Sequence, residues 1–234
     1  MTRWKMLTFD MDGTLTASSE KIDEDFARYL LKVFKSNPCA IVSGADYESI
    51  KNQLGFDLCY HAEWIFACNG AHAIKNGVTQ HKSNWQLKRS VRNYLENYLR
   101  DSDFPHRTGK HFDDRIGMCN FSVLGRGATK EQRRHYIAWD IATNERQHIA
   151  KKINTKFNGV VARVAGETGI DLMHNNMSKA KILDFVDINS IKFFGDKMKK
   201  GGNDYPLANK LDFDQRFPVN GWQETHDLLV ELGF

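Results

Sequence analysis

Short apolar runs that stop at polar residues recur along the first third of the chain. Met6-Leu7-Thr8-Phe9 ends at Asp10, Ala40-Ile41-Val42 ends at Ser43-Gly44, and Trp64-Ile65-Phe66-Ala67 ends at Asn69-Gly70. Each reads as a buried strand with a polar carboxyl end. Between them, Ile22 to Phe34 places Ile22, Phe26, Tyr29, Leu30 and Val33 at helical spacing before an Asn37-Pro38 stop, and Tyr47 to Leu54 reads as a short helix. Strands alternating with helices predict an α/β fold with a doubly wound parallel sheet, which gathers its ligands at the carboxyl ends of its strands.

The middle of the chain has a different rhythm. A helix is expected over Trp85 to Leu99, then a polar connection from Asp101 to Lys110, and a half-buried strand over Met118 to Leu124. A long charged helix from Lys130 to Phe157 and two strands, Val160 to Val164 and Thr168 to Leu172, complete an α+β pattern. From Ser178 the earlier pattern returns, with a helix over Lys179 to Val186 and a strand over Ile191 to Asp196. The reading is a core domain made from residues 1–83 and 177–234, with a cap domain, residues 84–176, inserted between its halves.

Composition narrows the class. The 234 residues are 41% hydrophobic and 26% charged, enough for a core with one insert. The net charge of +4 is spread along the chain, so clustered basic and stacking residues, the mark of a nucleic-acid binder, are not evident. Four cysteines without C-x-x-C spacing suit a reducing compartment better than a disulfide scaffold. No apolar run reaches membrane-spanning length, and Asp10 and Asp12 come too early for a signal peptide, so a cytoplasmic protein without membrane contact is expected.

Chemistry concentrates at the strand ends. Asp10 and Asp12, two residues apart in Phe9-Asp10-Met11-Asp12-Gly13-Thr14, face one pocket if the preceding strand is buried. A carboxylate is already ionised at neutral pH and attacks phosphorus without a base, once a divalent cation offsets its repulsion from the phosphate. Hard oxygen ligands favour magnesium. Ser43 is a candidate to hydrogen-bond a phosphoryl oxygen, Lys179 to neutralise it, and Asp196 to complete the metal site. Each also has a plain structural reading: an acidic turn for the Asp10–Asp12 pair, a helix cap for Ser43, a surface lysine for Lys179, and a turn for Asp196 ahead of Gly201-Gly202-Asn203-Asp204.

The order D-x-D-G-T, strand-Ser, Lys, then Gly-Asp and Gly-Gly-Asn-Asp resembles the haloacid dehalogenase superfamily, whose core is Rossmann-like. More narrowly, the chain resembles the eukaryotic-type phosphomannomutases. That resemblance is carried by residues 9–16, by Arg115-Ile116-Gly117-Met118 through Gly125-Arg126, and by Phe193-Phe194-Gly195-Asp196-Lys197 through Gly201-Gly202-Asn203-Asp204-Tyr205. It implies a phosphorylated nucleophile at Asp10, an acid/base at Asp12, Lys179 among the catalytic residues, and a magnesium ion on Asp10, the Asp12 carbonyl and Asp196. It also implies Arg115, Arg126 and Arg133 on the substrate's distal phosphate and Asp171 on a sugar hydroxyl. A guanidinium fork matches phosphate oxygens, so converging arginines suit a dianion.

Departures from the family pattern are equally visible. Ala17-Ser18-Ser19-Glu20 replaces a stretch that usually holds an arginine, Gly169 replaces a serine two residues before Asp171, and Lys210 replaces an acidic residue of a second cation site. The resemblance implies interconversion of mannose 6-phosphate and mannose 1-phosphate, with a hexose 1,6-bisphosphate as activator and a homodimer through the cap. The alternative is a magnesium-dependent sugar-phosphate phosphatase, which uses Asp10 and Asp12 but lets water attack. A non-catalytic sugar-phosphate sensor has no need of the full acidic set.

Overall fold

A computed structural model describes residues 6–234 and divides the chain into two compact units. One runs to Lys82 and resumes at Met177; the other is Ser83–Asn176.

The first unit is built on a seven-stranded sheet. Its strands are β1 (Met6–Phe9), β2 (Cys39–Val42), β3 (Trp64–Ala67), β4 (His72–Lys75), β5 (Val78–Lys82), β10 (Ile191–Gly195) and β11 (Arg216–Pro218), in the spatial order β11-β10-β1-β2-β3-β4-β5. The pairs from β11 to β3 are parallel. β3, β4 and β5 pair antiparallel, and a tight turn with positive φ at Asn76 and Gly77 joins the last two. Residues 72–82 and β11 are the parts of this sheet that the apolar pattern did not announce, because β5 is mostly exposed and β11 is only three residues long. Wholly buried β1, β2, β3 and β10 explain why those strands read as continuous apolar runs.

Helix α1 (Glu24–Ser36) starts two residues later than its periodicity suggests, because Asp23 caps it by accepting from the amides of Asp25 and Phe26. α2 (Tyr47–Leu54) and α3 (Phe56–His61) follow β2, and the unit also holds α7 (Tyr205–Ala208) and α8 (Trp222–Glu231). The helix expected from Lys179 is a 3-10 segment, Lys179–Asp184, that stops short of Val186.

In the second unit, β6 (Phe112–Arg115), β7 (Met118–Phe121), β8 (Val161–Ala165) and β9 (Gly169–Met173) form an antiparallel sheet ordered β6-β7-β9-β8. Cys119, Phe121, Ile170, Leu172 and Ala162 share a core with Val91 and Leu95 of α4 (Arg89–Asp101), Tyr136 of α5 (Lys130–Thr143), and Ile149 and Ile153 of α6 (Glu145–Lys156). Helix α4 begins at Arg89 rather than at Trp85. The single helix expected over residues 130–157 is two, because Asn144 adopts a left-handed conformation (φ 53°) that ends α5 and starts α6. Among the described residues no helix is long and apolar enough to cross a membrane, and all four cysteines are buried.

Candidate active site and cap face

Neighbouring parallel strands bring the first group of candidates together. β1 and β10 run side by side, and the Asp10 amide donates to the Phe194 carbonyl at 2.9 Å. From β1 the chain builds outward through β2 and β3, whereas β11 lies beyond β10 on the other side. Asp10 and Asp196 therefore leave adjacent strands at the point where the winding reverses, the expected ligand crevice of such a sheet.

Asp10 is 3% exposed and Lys179 is fully buried. Lys179 Nζ donates to Asp10 Oδ1 at 2.5 Å and to Asp204 Oδ1 at 2.6 Å. Burial pushes the Asp10 carboxyl well above its ordinary range, Asp204 adds to this, and Lys179 pulls the other way. Burial disfavours the Lys179 ammonium, yet Asp10 and Asp204 more than offset it and hold the group charged. In the sequence Asp204 belongs to a glycine-rich turn, Gly201-Gly202-Asn203-Asp204. Its Oδ2 accepts from the Lys197 amide at 2.9 Å, so one carboxylate ties that turn to Lys179.

Oxygens of Asp10, Asp196 and Asp204 all lie within 4.8 Å of one another. Asp196 Oδ1 and Asn203 Oδ1 are buried without a hydrogen-bond partner, while Asp196 Oδ2 pairs with Lys197. Three carboxylates, one buried lysine and two orphaned oxygens suit a divalent cation with hard oxygen ligands. Gly13 turns with φ 85° directly beneath Asp196, and a Cβ there would overlap Asp196 Oδ2. The Asp12 carboxylate is held apart from this cluster, its Oδ1 accepting from the Ser19 amide at 2.7 Å. Ser43 is buried at the end of β2, and its Oγ accepts from the Ala45 amide at 3.0 Å.

The second unit carries its own polar face. Asp113 on β6, Asn120 on β7, Asp171 on β9 and Arg163 on β8 are successive register partners, so they form one row across the sheet. The apolar core residues alternate with them and face the other way. Asp113 Oδ2 accepts from Arg115 Nε at 2.8 Å and from Arg126 Nη2 at 2.6 Å. Asn120 Nδ2 donates to Asp171 Oδ1 at 2.8 Å. Burial raises the Asp171 carboxyl, while the Asn120 hydrogen bond and Arg115, Arg126 and Arg163 oppose the shift.

Arg126 sits on a turn pinned from both sides. Its amide donates to the Lys110 carbonyl at 2.8 Å, and Ser122 Oγ links the Gly125 amide to the Thr168 carbonyl. Gly125 has φ 89° and lies so close to the Thr108 carbonyl that no side chain fits. Arg133, in the first turn of α5, pairs with Glu167 rather than with Asp113, through Nε at 3.2 Å and Nη2 at 2.7 Å. The candidates thus fall into three groups: Asp10, Lys179 and Asp196; Arg115, Arg126 and Asp171; and Asp12, Ser43 and Arg133, each held by its own partner. Asp113, Asn120 and Arg163 join the site through strand pairing, and the period-two alternation of β7 and β9 points to their face.

Comparison with known proteins adds a family to this geometry. A profile described as eukaryotic phosphomannomutase matches residues 26–229. A phosphomannomutase of Dendrobium officinale is 31% identical over 212 residues, covering 86% of this chain and 84% of its own. Phosphomannomutase 1 of Dictyostelium discoideum is 28% identical over 235 residues, covering 96% and 94%. Among solved structures, an IMP-nucleotidase of Plasmodium falciparum aligns with a TM-score of 0.66 at 17% identity, covering 97% of this chain and 68% of that one. A haloacid dehalogenase-like hydrolase from Bacteroides thetaiotaomicron aligns at 0.62 and 12% identity, covering 99% and 100%. At such identities the two structures speak for the fold alone, and that fold is the haloacid dehalogenase one.

Proposed function

The chain belongs to the eukaryotic phosphomannomutase family, and from that premise we propose that it interconverts mannose 6-phosphate and mannose 1-phosphate through a phosphoaspartate at Asp10. With Asp10 primed as phosphoaspartate, the free phosphate-accepting hydroxyl of the hexose monophosphate attacks the phosphorus. Asp12 takes the hydroxyl proton, and the bond from phosphorus to Asp10 Oδ breaks to give a hexose bisphosphate. The bisphosphate reverses, Asp10 Oδ attacks its other phosphorus, and the bond from that phosphorus to the sugar oxygen breaks. Asp12 returns the proton to that oxygen, which leaves the isomeric monophosphate and restores the phosphoaspartate. The Ser19 amide holds Asp12 Oδ1, leaving Oδ2 to carry the proton. Lys179 stays charged and offsets the buried carboxylates against which the phosphoryl group must approach.

Magnesium is the cation proposed for Asp10, Asp196 and Asp204, with the Asp12 carbonyl carried over from the resemblance; when bound, it reduces repulsion between carboxylate and phosphate. The observation that favours a mutase over a plain phosphatase is the pair of cap arginines on one carboxylate oxygen. Arg115 and Arg126 converge on Asp113 Oδ2 and present a fixed cationic face for a second phosphate. A hexose 1,6-bisphosphate as priming ligand and a homodimer through the cap are proposed with it, on family membership.

The test is product analysis. With mannose 1-phosphate, magnesium and a catalytic amount of glucose 1,6-bisphosphate, mannose 6-phosphate is expected to accumulate with little free phosphate. Free phosphate without isomerised sugar would overturn the mutase and establish the phosphatase.

A further inference from the structure

The polar row on the cap sheet contains a cation that the proposed reaction has not used. Arg163 on β8 is the register partner of Asp171, and Arg115 lies two residues along β6 from Asp113. Register partners project to one face and strand residues two apart share it, so both arginines belong to the face that carries Asn120 and Asp171. Arg115, Arg126 and Arg163 all act electrostatically on Asp171.

The arginines differ in what holds them. Arg115 and Arg126 are tied to Asp113. Elsewhere in the unit, half-buried Arg92 is held by Asp114, Arg107 by the carbonyls of Leu99 and Ser102, Arg133 by Glu167, and Arg146 by Asp140 and the Gly166 carbonyl. Arg163 is also half-buried, yet among the described residues no hydrogen bond or close ion pair engages its guanidinium. Partial burial weakens the hold of this guanidinium on its proton, and among the described residues its donors meet no protein acceptor. An anion placed on this face would supply one.

We propose that Arg163 is a substrate-binding residue whose free guanidinium donates to the phosphate that the cap face holds on a hexose phosphate. The inference rests on the hexose-phosphate reading for its ligand, and on the register and the unfilled donors for its site.

The experiment is calorimetric titration with mannose 1-phosphate and, separately, with inorganic phosphate. It uses magnesium-loaded Asp10→Asn protein, which cannot turn over, carrying Arg163, Arg163→Gln or Arg163→Lys. Arg163→Gln is expected to weaken mannose 1-phosphate binding by about tenfold or more, with Arg163→Lys between it and the parent. The ligand-free melting temperature of Arg163→Gln is expected to stay level or rise, which a purely structural arginine would not allow. Binding unchanged within about twofold in both variants would overturn the proposal. If the parent ignores mannose 1-phosphate, the hexose reading fails, and the phosphate titration decides for Arg163. One phosphate-binding event lost in Arg163→Gln sustains its role, and none lost refutes it.

Discussion

Lys179 and Asp10, 169 residues apart in sequence, form a buried ion pair at 2.5 Å, and the same ammonium holds Asp204 at 2.6 Å. The two halves of the first unit therefore meet at one nitrogen. Replacing Lys179 by Met leaves Asp10, Asp204 and Asp196 as clustered carboxylates without their buried counter-charge. Removing one partner of such a pair costs about 3–5 kcal/mol. Chemical denaturation should show a loss of that order, and turnover should fall to background; near-native stability would show that Lys179 is not holding the cluster.

Gly13 is the second point of control on the acidic cluster. Gly13→Ala adds a left-handed alanine, at about 1–3 kcal/mol, and a methyl group that must displace Asp196. The expected result is a weakened magnesium requirement curve, shifted to at least about tenfold higher concentration, together with lowered thermal stability. An unshifted magnesium curve would remove Asp196 from the cation site.

Gly169 stands where relatives of this family are expected to carry serine, and the structure supplies a reason. A Cβ at Gly169 would come within 2.7 Å of Asn120 Nδ2, the donor that holds Asp171. Gly169→Ser should therefore impair the protein although it restores the family residue. Loss of a buried hydrogen bond of this kind costs about 1–3 kcal/mol, so KM for the sugar phosphate should rise roughly tenfold or more. Improved activity in the serine variant would contradict the placement of Asn120.

Asp171 makes a pH signature. Its carboxyl ionises above the ordinary 3.8 in the folded protein because burial raises it. As pH rises past 3.8 the unfolded chain gives up this proton first, so the folded state binds more protons and its stability falls with pH until the raised value is passed. Asparagine carries no such proton. The stability of the parent relative to Asp171→Asn should therefore decline as pH rises through that window, measured by denaturation at each pH. A difference that stays flat, or grows with pH, would contradict the burial of this carboxyl.

Much of the core was legible because burial on both faces leaves a plain apolar run, as in β1, β3 and β10. The hairpin β4–β5 was not, since exposed Val78 to Lys82 has no such run and only the Asn76-Gly77 turn marks it. The break at Asn144 has no proline or glycine to mark it; asparagine's tolerance of the left-handed region was the available sign. At the site, Asp10 and Asp196 stood out by ending strands. Asp204 did not, because Gly-Gly-Asn-Asp is turn chemistry by composition, and its pairing with Lys179 depends on a contact between distant segments. Asp113 and Arg163 belong to β6 and β8, where only pairing across the sheet shows that they share a row.

The central claim is that Asp10 takes up the phosphoryl group, and trapping that species tests it most directly. The protein is mixed with glucose 1,6-bisphosphate and magnesium, quenched rapidly, reduced with borohydride to convert an aspartyl phosphate to homoserine, and digested for peptide mass spectrometry. The account predicts homoserine at position 10 in the parent and none in Asp10→Asn, which should also be inactive. Homoserine at another aspartate, or sugar-phosphate turnover by Asp10→Asn, would contradict it.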